Sequence, residues 1–363
     1  MRIPMANLKL EYEFLKDQIL KEVENVLEST AFIKGNSIKE FDRSVEDFLK
    51  VKHHIACGNG TDALQIALMS LGVKPGDEII TTPFTFIATA EVIALLKAKP
   101  VFVDIDPDTF LIDTDKIEEA ITEKTFAILP VHLFGQMADM DAIMQIAKKH
   151  DLKVVEDTAQ AFGATQNGKI AGTIGDVGTI SYFPSKNLGA YGDAGGIITN
   201  NEELSKRIKM IANHGQKRKY EHYLIGVNSR MDTIQAAILN VKIKYINEWL
   251  KKRNEAGNLY KKYLDLSIIT PTTLNGNFHT YHQFTIRIKN RDKLKEYLAD
   301  KGIASAIYYP IPLNEQKVFE NKFDNNKTPN SNKVAKEVLS LPISHFISEN
   351  EIREVAEAIN SFI

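Results

Sequence analysis

Lys186 stands in the stretch Ser181 to Gly196, Ser-Tyr-Phe-Pro-Ser-Lys-Asn-Leu-Gly-Ala-Tyr-Gly-Asp-Ala-Gly-Gly, between hydroxyl-bearing residues and the glycines at 189, 192, 195 and 196. A solvated helix-face lysine has charged neighbours three or four residues away, whereas this one is flanked by Tyr182, Phe183, Pro184, Leu188 and Tyr191. Partial burial lowers the pKa of a lysine amine and frees it to attack a carbonyl, which is the chemistry of Schiff-base lysines. A lysine in a Gly-rich turn can also hold a phosphate or be an ordinary loop residue. The stretch alone leaves these readings open.

Three other stretches have the character of site loops. Gly58-Asn59-Gly60-Thr61-Asp62 leaves a strand and opens a helix, so its backbone N–H groups can cradle a phosphate at a positive dipole end; the alternative is a Gly-rich turn with a Thr or Asp cap. Glu156-Asp157-Thr158-Ala159-Gln160 follows Lys153-Val154-Val155 and places carboxylates at the end of a buried strand. One of them can cap the next helix, but a buried carboxylate needs a cationic or hydrogen-bonding partner. In Thr85-Phe86-Ile87-Ala88-Thr89-Ala90 an aromatic opens a helix, and a core role for Phe86 is the default. Together they offer a phosphate cradle, an aromatic plate, an acid and a lysine. Pyridoxal 5′-phosphate (PLP) requires that set.

The elements that must position these residues follow from periodicity. Leu8 to Leu27 and Ser37 to Leu49 read as amphipathic helices. From His54 to Glu156 short apolar runs alternate with helical patterns, the signature of a doubly wound, mainly parallel sheet with ligand loops at the carboxyl ends of its strands. A long helical run from Met231 to about Leu264 leads to a strand over Gln283–Ile288, a helix over Asp292–Lys301, a second strand over Ile303–Tyr308 and a closing helix over Glu349–Ile363. The predicted division is a large domain over 1–240 and a small α+β domain over 241–363. Glu320 to Asn332 reads as a polar, mobile loop.

Composition narrows the class. The 363 residues are 44% hydrophobic and 25% charged with a net charge of −2, so no nucleic-acid footprint is visible. The single cysteine, Cys57, excludes an internal disulfide framework and fits a reducing cytoplasm. Neither a signal peptide nor a bilayer-spanning run is legible, and no metal is expected.

Asn59-Gly60-Thr61-Asp62-Ala63-Leu64, Pro75-Gly76-Asp77-Glu78, Val103-Asp104-Ile105-Asp106-Pro107, Pro130-Val131-His132-Leu133-Phe134-Gly135-Gln136, Glu156 to Gln160, Ser181 to Lys186, Asn213-His214-Gly215 and Asn228-Ser229-Arg230-Met231-Asp232 resemble the sugar-nucleotide aminotransferases of the DegT/StrS group. The resemblance runs from about Ile3 to the C-terminus. It implies the aspartate-aminotransferase-like fold type I of PLP enzymes and homodimers with shared active sites. Lys186 is then similar to the lysine that forms the Schiff base and shuttles the proton, Asp157 to the partner of the pyridine nitrogen, and Gln160 to the contact of the ring hydroxyl. Phe86 would stack on the ring; Gly60, Thr61 and Ser181 would bind the phosphate, joined by Asn228 of the other subunit. The implied reaction takes an amino group from L-glutamate, passes through pyridoxamine 5′-phosphate as intermediate, and delivers it to a nucleotide-linked ketosugar.

Gly60 to Ala67, Gly226 to Arg230 and Tyr309-Pro310-Ile311-Pro312-Leu313-Asn314 look most like enzymes that aminate C3 of UDP-2-acetamido-2-deoxy-3-oxo-glucuronate for bacterial surface polysaccharide. Arg230 is the candidate for the uronate carboxylate. The subgroup tends to have histidine where this chain has Tyr308, so Tyr308 is the candidate that would change the sugar. The alternatives are a dTDP-3-keto-6-deoxyhexose C3 aminotransferase and a C4 aminotransferase. A dehydratase of the same fold would carry histidine in place of Lys186, and a non-catalytic sensor would not need Lys186, Asp157 and Gln160 together.

Overall fold

Seven short strands, His53–Cys57, Glu78–Thr81, Lys99–Phe102, Thr125–Ile128, Lys153–Asp157, Val177–Ser181 and Gly195–Thr199, form the central sheet of a computed structural model that describes residues 1–320 and 327–363. Across the sheet they lie in the order first, seventh, sixth, fifth, fourth, second, third. Gly195–Thr199 is antiparallel to both of its neighbours and the other pairings are parallel. Successive strand residues point to opposite faces. Ile55, Cys57 and Ile197 therefore pack with Leu64 and Ile66, whereas Ile180 and Ile198 pack with Phe41, Val45, Ala236 and Leu239. Both faces are covered, as the near-continuous apolar strands require.

Helix Gly60–Leu71 starts because Asn59 caps it, its Oδ1 accepting from Asp62 N–H at 2.8 Å. The long run after Met231 is two helices, Thr233–Lys242 and Ile246–Tyr263, joined by a 3-10 turn at Ile243–Tyr245. The second joins two cores. Its Trp249 and Leu250 pack with the large sheet's helices, while Ala256 and Tyr260 join a separate cluster with Phe284, Leu294, Leu298, Leu339, Val355 and Ile359.

Two expectations for the C-terminal part are corrected. Ile303–Tyr308 is not a strand; it makes only isolated bridges, Ile303 with Ile3 and Ala306 with Ser340. The partner of Phe284–Arg287 is Val338–Leu341, four buried residues, Val-Leu-Ser-Leu, directly after a helix, which periodicity cannot separate from a helix end. Within the expected polar loop, 321–326 lie outside the described residues, and a helix begins at Pro329 and runs to Glu337. Its first turn is anchored on the buried Asp104, which accepts from Asn330 N–H at 2.8 Å and from Ser331 N–H and hydroxyl at 2.9 and 2.7 Å. That tertiary anchor outweighs the polar composition.

Candidate active site

The carboxyl ends of the sheet strands open onto a cavity of about 460 Å³. Lys186, Asp157, Gln160, Phe86, Gly60, Thr61, Ser181 and Tyr308 all line it. The turn that carries Lys186 links the two antiparallel strands Val177–Ser181 and Gly195–Thr199 and is held closely: Lys186 N–H donates to Phe183 O, Ala190 N–H to Tyr182 O, and Tyr191 N–H to Gln235 Oε1, at 2.8, 2.8 and 2.9 Å. From the next layer Lys242 Nζ donates to Gly189 O at 2.6 Å. Burial lowers the Lys186 amine to about 8, against the charge of Asp157, which raises it.

Asp157 ends its strand and is 4% exposed. Burial raises its carboxyl above the usual range, opposed by hydrogen bonds from Ala159 N–H at 3.1 Å and the Thr89 hydroxyl at 3.0 Å and by the charge of Lys186. A carboxyl held high by desolvation has room for a cationic partner. Its neighbour Glu156 is committed elsewhere: its oxygens accept from Gly172, Ile174 and Gly175 N–H at 2.8, 2.7 and 2.6 Å and from His132 Nε2 at 2.9 Å. His132 Nδ1 accepts from Ala138 N–H, which leaves the ring proton on Nε2. The two adjacent carboxylates are thus divided, one structural and one facing the cavity.

At the other end of the cavity the first-turn N–H groups of Gly60 and Thr61 have no acceptor among the described residues, as helix starts require. A Cβ at Gly60 would meet Ser181 Cβ at 2.7 Å, so only glycine lets the helix start approach the serine. Phe86 is 54% exposed, which corrects the default core role: its ring stands over the cavity beside Tyr309, centroids 6.2 Å apart. Gln160 is oriented by Phe134 N–H, which donates to its Oε1 at 2.8 Å, and its Nε2 donates to the Tyr309 hydroxyl at 3.0 Å. An acid end, an exposed aromatic plate and open N–H donors beside a lysine fit PLP, whose ring nitrogen is cationic when protonated and whose phosphate is anionic.

Asn228 and Arg230 are not brought to this cavity by their own chain. Asn228 is exposed and bridges Asn213, to whose Oδ1 Arg230 Nη1 donates at 3.2 Å. The sequence reading missed His282, Gln283, Thr89 and Tyr309, which also line the cavity or, for Thr89, hold Asp157. Tyr309 stood in a quoted motif and had a signal. His282 and Gln283 come from the C-terminal part and had none.

Residues 13–360 match the model of the DegT/DnrJ/EryC1/StrS aminotransferase family. The chain is 48% identical to the "Pleiotropic regulatory protein" of Geobacillus stearothermophilus, covering 100% of this chain and 99% of the relative. It is 44% identical to the UDP-2-acetamido-2-deoxy-3-oxo-D-glucuronate aminotransferase of Pseudomonas aeruginosa, covering 99% and 100%. The crystal structure of S. venezuelae DesV in complex with a ketimine intermediate superposes with a TM-score of 0.97 at 34% identity, covering 99% of this chain and 98% of that one.

Proposed function

The chain belongs to the DegT/DnrJ/EryC1/StrS aminotransferase family, and we propose that it moves an amino group from L-glutamate to C3 of UDP-2-acetamido-2-deoxy-3-oxo-glucuronate. It is an aminotransferase of the PLP fold type I and uses PLP. The observation that carries the site reading is the meeting, in one cavity, of a desolvated Lys186 amine and the buried carboxyl of Asp157.

When bound, PLP supplies an electron-withdrawing ring that stabilises the carbanion left when Cα of the amino donor loses its proton. Lys186 would hold the cofactor between turnovers. Its Nζ would be the group that takes the proton from Cα of the donor, a task suited to an amine that burial lowers to about 8. Asp157, locked by Thr89 and Ala159, would pair with the ring nitrogen and favour its protonated form. Gln160, oriented by Phe134, would donate to the ring hydroxyl. Phe86 would cover the ring face and exclude water, and Gly60, Thr61 and Ser181 would hold the phosphate.

Asn228 and Arg230 enter this scheme from a second copy of the chain, Asn228 on the phosphate and Arg230 on the uronate carboxylate, for which a guanidinium is the matching bidentate donor. Burial raises the Tyr308 hydroxyl, so it stays uncharged and contacts the sugar as a hydrogen-bond donor. The Pseudomonas relative and the quoted subgroup motifs support the uronate. The experiment is a panel of nucleotide ketosugars incubated with enzyme and L-glutamate and read by mass spectrometry. The UDP-3-oxo-uronate should gain the amine; amination of a dTDP-3-keto-6-deoxyhexose with the uronate untouched overturns the substrate assignment.

A further inference from the structure

We propose that His282 is a further substrate-contacting residue, which donates a hydrogen bond to the carboxylate of the amino-acid donor. This rests on the aminotransferase reading. The donor's α-carboxylate hangs on the same carbon whose proton Lys186 moves, so its seat must lie close to the Lys186 amine. Among the described residues no arginine lines the cavity and Lys186 is its only cation, while Asp157 and Asp193 repel an anion. Most polar side chains nearby are engaged: Thr85 with Thr89, Thr89 with Asp157, and Gln160 with Phe134 and Tyr309.

Among the described residues that line the cavity, His282 alone has a buried side-chain polar atom with no partner. The residue lines the cavity and is 4% exposed, and its Nδ1 is buried with no hydrogen-bond partner. Behind it stands Arg253, also 4% exposed, whose Nη2 donates to His282 O at 3.0 Å and whose Nε has no partner. No carboxylate pairs with Arg253 among the described residues; the acid nearest in influence, Glu11, is already bonded to Lys242 and near His345. A buried cation without a counter-ion is unfavourable, and an arriving carboxylate on the cavity side of His282 offsets that charge. Arg253 acts through His282 and is a positioning residue.

The histidine is delivered by a built contact between the two parts of the chain. Thr280 N–H donates to Gly135 O at 2.9 Å and Gln283 N–H to Phe134 O at 3.2 Å. Gly135 has φ +106°, and a Cβ there would meet Thr280 Oγ1 at 2.5 Å and His282 N at 2.8 Å. The turn that orients Gln160 therefore also sets His282. Burial, together with the charges of Lys186 and Arg253, holds the imidazole far below its usual pKa, so it enters as a neutral ring with one N–H to give.

The test titrates holoenzyme with L-glutamate and reads the cofactor absorbance. His282→Ala should raise the glutamate half-saturation about tenfold or more, the order of a hydrogen bond to a charged group. His282→Asn should restore part of it, and calorimetric affinity for the UDP-amino-uronate product should stay within about twofold in both. Half-saturation unchanged in His282→Ala overturns the proposal. A wild-type spectrum that does not respond to glutamate sinks the aminotransferase reading instead. If both variants misfold, ¹⁵N-histidine spectra of wild-type holoenzyme decide: the His282 ring signals shift with 2-oxoglutarate, and an absence of shift overturns the contact.

Discussion

At the scale of single residues, desolvation displaces Lys186 and Asp157 in opposite directions, the amine down to about 8 and the carboxyl up. Only the neutral amine attacks a carbonyl, so the rate at which cofactor-free chain takes up PLP should rise with pH through about 8 and then level off; stopped-flow absorbance measures it. Asp157→Asn preserves the shape and removes the charge that would hold the ring nitrogen protonated. Its single-turnover rate with glutamate should fall by about 10²-fold or more, the scale of losing one preorganised electrostatic partner. The cavity brings these two residues together as the loop stretches and the family resemblance expected, although a lysine in a glycine turn or an acid at a strand end alone has other uses. By residue type alone Phe86 reads as core, because an aromatic at a helix start usually is; the family resemblance put it on the cofactor ring instead, and in the structure it is 54% exposed. His282 was illegible for a different reason: its meaning comes from Gly135, 147 positions away in the chain.

At the scale of elements, the helix start at Gly60 and the turn at Lys186 depend on close approach and on support from behind. Gly60→Ala forces Ser181 away from 2.7 Å; calorimetry should show PLP binding weakened by about tenfold, and overpacking of this kind costs about 1–3 kcal/mol. Lys242 is fully buried, pairs with Glu11, donates to Gly189 O and lies 4.1 Å from the Tyr191 ring centroid. Lys242→Met strands the buried Glu11, and denaturant unfolding should report a loss of about 3–5 kcal/mol. The parallel-sheet elements were readable from sequence because apolar runs alternate with helical patterns. Val338–Leu341 was not, because four buried residues carry no period, and Pro329–Glu337 was not, because Asp104 rather than composition holds it.

At the scale of the whole molecule, the separate cluster around Phe284 and Ile359 and the helix Ile246–Tyr263 that joins both cores support a division near residue 240, as we propose. Asn228 and Arg230 lie outside their own chain's cavity, which makes a shared dimeric site the economical arrangement. Co-expression of Lys186→Ala with the double variant Asn228→Ala, Arg230→Ala tests this: each should be inactive alone, and mixed dimers should regain activity because one site then has all its parts. No recovery would place both residues outside the partner's site. The central claim, aminotransfer through Lys186, is tested most directly by the absorption spectrum of PLP-reconstituted protein before and after L-glutamate. The account predicts a cofactor band that glutamate converts in wild type, and no multiple turnover in Lys186→Ala; a protein with no cofactor band, or a Lys186→Ala variant that keeps turning over, would contradict it.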